Sequence, residues 1–377
     1  MVNTQQLNLN LDLEINHDKT EQKNKQFYKI ENFNKIFEQR EIRAISLCSG
    51  CGGLDFGFQK AGYNIVYAND IDPSVKETYE KNLGSIEIKD IKEIEKTKLP
   101  EGDIILAGIP CQPFSSAGNR KSIKDDKGIL FTEVLKIVNI KKPKVVLFEN
   151  VRGFQSSKDE NGTFMIERMR NELKKYGYNL YNKLLNALDY GVPQNRYRVI
   201  LIAIRDDINI HYQFPPPVNI DKEDLKIGKI IEKPFPNNYI EEVWNLSPQA
   251  LEMTKEIPEG GSWKSVSYEK LPPRLKKIRD NMVKYKSPNF YRKFSREEIM
   301  GTITAASTPE NSGILHPLEF RRYSVREIAR FQSFPDYFEF IGTTIPKKYK
   351  MIGNAVPCQL AFYIAKSIKE QVFNQIV

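Results

Sequence analysis

No apolar run in the sequence approaches the roughly 20 residues that span a bilayer, and the opening residues, MVNTQQLNLNLDLEINHDKT, lack the basic-then-apolar order of a signal peptide. A cytoplasmic protein is expected. Cysteine and histidine are scarce. Four cysteines, Cys48, Cys51, Cys111 and Cys358, are too few in 377 residues for a disulfide framework. Three histidines, His17, His211 and His316, form no pair at zinc-binding spacing, so no metal is expected. Glycine and proline are missing from residues 1–40, which are rich in Asn, Gln and Lys. That stretch reads as a polar N-terminal extension with a short helix over Glu31–Gln39 and no chemistry. What is present elsewhere forms a core: 40% hydrophobic and 28% charged residues rule out wholesale disorder. With 57 Lys and Arg against 48 Asp and Glu, the formal charge is +9, which makes a polyanion the first partner to test.

From Arg43 onwards short apolar runs, Ala44–Leu47, Ile65–Ala68, Asp103–Ala107, Val145–Phe148 and Val199–Ile204, alternate with helical patterns such as Gly128–Ile140 and Thr163–Tyr176. Buried strands separated by helices predict an α/β fold, a doubly wound, mostly parallel sheet covered on both faces. Asp206, Asp207 and the run Pro215 to Pro217 break that rhythm after Arg205. The following stretch has irregular apolar spacing and interleaves basic with aromatic residues between Arg274 and Lys293, and it reads as a second, smaller domain. Helical spacing returns through Leu360, Ile364, Ile368 and Val372, a closing helix expected to pack back on the first domain. The expected division is a catalytic, cofactor-binding domain over 41–205, completed by 343–377, with 206–342 as the smaller domain and hinge.

Four segments carry candidate chemistry. Ser46 to Gly57 is a glycine-rich turn between a strand and a helix, where glycines let backbone approach a ligand and the helix N-terminus adds its dipole. Gly50 and Gly52 fit a dinucleotide fingerprint, but Asp55 stands where the third glycine belongs. Asn69-Asp70 ends the next strand, where a carboxylate can accept ribose hydroxyls, and Asp90 follows the third. A turn followed by these acids suits a nucleoside cofactor without a pyrophosphate, S-adenosylmethionine first; a tight turn with no ligand is the plain alternative. Cys48 and Cys51 form a C-x-x-C inside the turn but without a thioredoxin-like context. Cys111 lies in Gly108-Ile-Pro110-Cys111-Gln112-Pro113, after a buried run and fixed by prolines, either a reactive thiol at a sheet edge or simple packing. Glu149 ends another apolar run, and Arg196 and Arg198, at i and i+2, share one face of an extended segment.

Together these segments resemble the cytosine-C5 DNA methyltransferases of bacterial restriction-modification systems. The matching motifs are the Gly50–Gly57 turn, Pro110-Cys111-Gln112, Glu149-Asn150-Val151, Gln194-x-Arg196-x-Arg198, Arg322-Tyr-Ser-Val-Arg326-Glu327 and Gly353-Asn354-Ala-Val356, in the family's order. The resemblance implies a Rossmann-like S-adenosylmethionine-dependent fold with a target recognition domain between the arginine motif and Arg322. It implies Cys111 as nucleophile, Glu149 as partner of the cytosine edge, and Arg196 and Arg198 as supports of substrate and active loop. Gly50, Gly52, Gly53, Leu54, Asp70, Ile71, Asp90, Ile91, Pro110, Leu130, Asn354 and Ala355 would surround the cofactor. Gln112, Ser115, Arg120 and Lys284 would meet DNA. Three positions depart from the family's habit: Ser46 where Asp is usual, Cys48 where a Phe lies against the cofactor, and Ile71 at an aromatic stacking position.

The implied activity is methyl transfer to C5 of a cytosine flipped out of double-stranded DNA, through a covalent Cys111–C6 adduct. The polar segment 115–126 would close over the flipped base. The implied partners are DNA and a separately acting restriction endonuclease, the enzyme itself being a monomer. An RNA cytosine methyltransferase is the nearest rival, disfavoured by the more than a hundred residues between Arg198 and Arg322. A catalytically silent DNA-binding homologue is disfavoured by the intact Cys111, Glu149, Arg196 and Arg198. A nicotinamide oxidoreductase is disfavoured by Asp55.

Overall fold

In a computed structural model of the chain, the residues described are 41–109, 127–159, 161–235, 240–281, 290–308 and 312–375. The expected helix at Glu31–Gln39, the Cys111 segment, the 115–126 loop and Lys284 lie outside them.

Seven strands form one sheet: β1 (Ile42–Leu47), β2 (Tyr63–Asp70), β3 (Glu87–Ile88), β4 (Ile104–Ala107), β5 (Val145–Val151), β6 (Tyr178–Asn186) and β7 (Tyr197–Arg205). Their order is β3-β2-β1-β4-β5-β7-β6. The neighbours from β3 to β5 are all parallel, whereas β7 runs antiparallel to both β5 and β6. The chain thus winds outward from β1 in one direction and from β4 in the other, which leaves a crevice at the C-terminal ends of β1 and β4.

Strand alternation divides the core. Ala44, Ile104, Leu106, Val145, Leu147, Ile200 and Ile202 face α1 (Gly53–Lys60) and the closing helix, while Ile45, Leu47, Ile105, Val146, Phe148, Val199 and Leu201 face the opposite layer. That second layer is made by α3 (Lys127–Lys141) and α4 (Met165–Lys175), through Val134, Val138, Met169 and Leu173. α2 (Lys76–Asn82) lies between β2 and β3. Every strand expected from apolar runs is present, each longer by two to four residues or trimmed by one. β6 was not foreseen: its burial alternates unevenly at the sheet edge, so its apolar signal is diluted by Asn179, Asn182 and Lys183.

After β7 the chain makes only short helices, α5 (Ile227–Ile231), α6 (Pro248–Glu256) and α7 (Pro273–Asp280), joined by irregular backbone. Ala250, Met253, Trp263, Leu271, Leu275 and Tyr291 build a small hydrophobic cluster of their own. α8 (Val325–Phe331) opens with a capping box, in which Ser324 Oγ accepts from Glu327 N–H and the Glu327 carboxylate accepts from Ser324 N–H. α9 (Ile345–Asn354) and α10 (Cys358–Gln371) follow, and α10 supplies Leu360, Ile364 and Ile368 to the α1 side of the sheet, as its spacing predicted. Residues Glu41–Val377 group as one compact unit. No helix among the described residues is long and apolar enough to cross a membrane.

Candidate active site

The glycine turn hangs on β2. Ser49 N–H donates to Asn69 O (2.9 Å), and Gly50 N–H donates to Asp70 Oδ2 (2.8 Å), while Asp70 Oδ1 accepts from Asp72 N–H (2.8 Å). Burial raises the Asp70 pKa, opposed by these two amides. Gly50 adopts φ +57°, and a Cβ built on it meets nothing within 4 Å, so the turn presents bare backbone to open space. Gly52 and Gly53 are close-packed instead: a Cβ on Gly52 would lie 2.0 Å from Leu83 Cδ1, and one on Gly53 would lie 2.4 Å from Val356 O.

Of the other expected cofactor residues, some are exposed and some belong to the core. Ile71, just past β2, is 65% exposed, a large apolar side chain left in solvent beside Asp70. Asp90 is half-buried, with Oδ1 accepting from Lys92 N–H, and Asn354 is exposed at the end of α9. Leu54 and Ile91 are buried in clusters on opposite faces of the sheet, so their side chains belong to the core. Ala355 is buried against Gly53, and Leu130 is half-buried against the α3 side. Pro110 lies outside the described residues. Cys48 and Cys51 are free thiols, each pushed up to about 12 chiefly by burial.

Beneath the turn lies a buried network that the sequence did not reveal. Asp55, wholly buried in α1, accepts from Ser46 Oγ (2.7 Å) and from Tyr79 OH (2.6 Å), and Ser46 in turn accepts from Ser49 Oγ (2.8 Å). Burial raises the Asp55 carboxyl to about 6 despite these donors.

At the other end of the crevice, β5 and β7 pair antiparallel with Val151 opposite Arg198. Arg198 Nε meets Glu149 Oε1 at 2.7 Å, both side chains nearly buried. The contact is an ion pair without hydrogen-bond alignment, so Glu149 Oε1 keeps an unfilled acceptor. Arg198 Nη1 donates to Tyr197 O (2.8 Å). Burial lowers the Arg198 pKa, and Glu149 opposes that shift.

Arg196 shares a face with Arg198 but not its surroundings. It is fully buried, with Nη1 donating to Ile303 O (2.7 Å) and Nη2 to Gly353 O (2.7 Å) and Ala355 O (3.0 Å). The guanidinium that was expected to support substrate is therefore occupied by three carbonyls. Gln194, also fully buried, accepts from Ile303 N–H (2.9 Å) and donates to Phe331 O (3.0 Å) and Gln332 Oε1 (3.1 Å). Gln332 Nε2 donates to Ile352 O (2.8 Å). These side chains tie the start of β7, the 300–303 segment, the end of α8 and the end of α9 into one knot. The Gln-x-Arg-x-Arg spacing marked the arginines; no periodicity marked Gln332.

The arrangement, an open glycine turn with acids on one side and a carboxylate–guanidinium pair on the other, can hold a nucleoside and polarise a planar heterocycle at a single sheet edge. The C-5 cytosine-specific DNA methylase family matches residues 42–370. The type II methyltransferase M.FnuDI of Fusobacterium nucleatum is 36% identical over 89% of this chain and 96% of its own length. M.HhaI of Haemophilus parahaemolyticus is 33% identical over 87% and 94%. In fold the chain is similar to the Dnmt2 methyltransferase of S. pombe, with a TM-score of 0.56 at 21% identity, covering 88% of this chain and 99% of that one. The chain belongs to the C-5 cytosine-specific DNA methylases and is a DNA cytosine-5-methyltransferase of the type II restriction-modification kind.

Proposed function

We propose that the protein uses S-adenosylmethionine to methylate one cytosine within a specific duplex sequence, with Cys111 as nucleophile and Glu149 and Arg198 as the groups that activate the base. The observation that carries this reading is the Glu149–Arg198 pair, whose buried Oε1 lacks a hydrogen-bond partner at the edge where the glycine turn opens. S-adenosylmethionine, when bound, supplies an electrophilic methyl group on a sulfonium sulfur. Gly50, Asp70, Ile71, Asp90 and Asn354 would hold it: the space at Gly50 admits the ligand, Asp70 retains lone pairs beyond its two amides, and Ile71 offers an apolar surface.

The protein's task is to make C5 nucleophilic. The Cys111 thiolate adds to C6, and the displaced π electrons move through the ring to N3, which takes up a proton from solvent that the Glu149 carboxylate stabilises. Arg198 keeps Glu149 in place and offsets negative charge on the pyrimidine edge. After C5 is methylated, its proton passes to water, the C–H electron pair forms the C5–C6 double bond as the C6–S bond breaks and the Cys111 thiolate leaves, and N3 gives back the proton it had gained. Arg196 acts as a positioning residue, fixing β7 and the 353–355 turn. The target must leave the stack, at a cost of a few kcal/mol that contacts with the protein offset; Gln112, Ser115, Arg120 and Lys284 are proposed DNA contacts. Residues 206–342 are proposed as the recognition domain and hinge, supported by the separate cluster around Trp263. The enzyme would act in the cytoplasm as a monomer, beside a separate cognate endonuclease.

Bisulfite sequencing of plasmid from a host expressing the protein should reveal one methylated sequence, and Cys111→Ser should abolish it while calorimetry still shows cofactor binding. Duplex DNA carrying 5-fluorocytosine should trap a denaturation-resistant adduct. Mass spectrometry placing that adduct on any residue but Cys111 would refute the assignment.

A further inference from the structure

Arg152 follows directly on β5, and its guanidinium lies over the ring of Tyr197, 5.2 Å from the centroid. Arg152 is exposed and Tyr197 is 40% exposed. Arg205, Arg292, Arg296, Arg321 and Arg330 each meet a carboxylate. Arg152 has no such partner among the described residues, only the aromatic platform. A guanidinium held level by a ring, with its N–H edge unsatisfied, is suited to a phosphate oxygen.

The location adds to the chemistry. Val151 is the register partner of Arg198, so Arg152 stands one residue beyond the strand pair that carries Glu149 and Arg198. Tyr197 precedes Arg198 and is anchored through its carbonyl by Arg198 Nη1. Alternation along the strand puts Tyr197 on the opposite face from Arg196 and Arg198, so the pair forms an outer lip and not a wall of the site. We propose that Arg152, levelled on Tyr197, binds a backbone phosphate of the DNA strand beside the target cytosine. Lys158 lies over Phe164 in the same β5–α4 connection, 4.6 Å from the centroid, but the Asp159 carboxylate adjoins it in sequence, and it serves as the contrast.

The test is fluorescence anisotropy on a short duplex carrying the sequence that bisulfite sequencing identifies, read across salt concentration, together with steady-state methylation. Arg152→Ala should lower the salt slope of log affinity by about one unit and raise KM for DNA several-fold, with kcat at saturating DNA little changed. Arg152→Lys should keep the slope. Tyr197→Ala should weaken binding as Arg152→Ala does, and the double variant should be no weaker than either. Lys158→Ala should leave the slope unchanged. An Arg152→Ala enzyme that methylates with unaltered slope and KM would overturn the phosphate contact alone, as would a loss confined to kcat. A wild-type enzyme that methylates no DNA would instead overturn the activity on which the proposal rests.

Discussion

Asp55 is a carboxyl group whose burial moves its titration towards neutral pH. Burial outweighs the donors Ser46 and Tyr79, so its folded pKa, about 6, stands above its ordinary value of 3.8. For an acid shifted in this direction the folded state holds the proton longer, so stability falls as pH rises between about 4 and 6 and the cost is complete above that window. Its size is on the order of 3 kcal/mol. Asp55→Asn keeps an acceptor for Tyr79 OH and removes the ionisation, so its unfolding free energy should lack this decline and should match or exceed wild type at neutral pH. Urea denaturation at several pH values checks this; an equally steep decline in the variant would place the titrating group elsewhere. At this scale the sequence was legible where a charged residue ends or starts a buried apolar run: Glu149 and Arg198 meet at one sheet edge, whereas Cys111 lies outside the described residues. Asp55 was not legible, because its partners Ser46, Ser49 and Tyr79 meet it only once β1, α1 and α2 are packed.

At the scale of elements, the glycine turn depends on a helix far along the chain. A Cβ on Gly57 would stand 2.5 Å from both Ala361 Cβ and Cys358 O, so α1 and α10 touch through that glycine. Gly57→Ala forces the helices apart and should cost about 1–3 kcal/mol by overpacking. Because α1 starts at the glycine turn, the same variant should bind S-adenosylmethionine more weakly while its far-ultraviolet dichroism stays native. Thermal melts and calorimetry measure the two effects; wild-type values of both would show that the contact relaxes freely. The strands that were legible are those with continuous apolar runs, buried on both faces in β1, β4, β5 and β7 and only partly buried in β2. The antiparallel placement of β7 had one available signal, the short connection from Asn186 to Tyr197, since a parallel crossover needs a dozen residues or more. The irregular 206–320 stretch offered no period to read, and its short helices are held by tertiary contacts more than by pattern.

At the scale of the molecule, recognition and chemistry are proposed to occupy different stretches of chain, so exchanging the recognition segment with that of a relative should move the methylated sequence and leave the reaction intact. The knot around Gln194 and Arg196 sets the boundary: Asn195, Gln194 and Arg196 bind backbone at Met300 and Ile303, so the exchange should span 206–299 and leave 300–303 native. Bisulfite sequencing of the chimera should report the donor's target. A chimera that binds cofactor yet methylates the original sequence would move recognition into the catalytic part. The packing of α10 against α1 bears also on how the enzyme comes into being. Synthesis proceeds from the N-terminus, and Gly53 and Gly57 emerge about 300 residues before Val356 and Ala361, the residues that back them. A nascent chain stalled between Arg205 and that point carries every strand of the sheet but lacks the residues that back the glycine turn. In a cell where methylation must protect DNA from a nuclease, a prematurely terminated message therefore confers no fractional immunity: protection begins only when translation has run to the far helix.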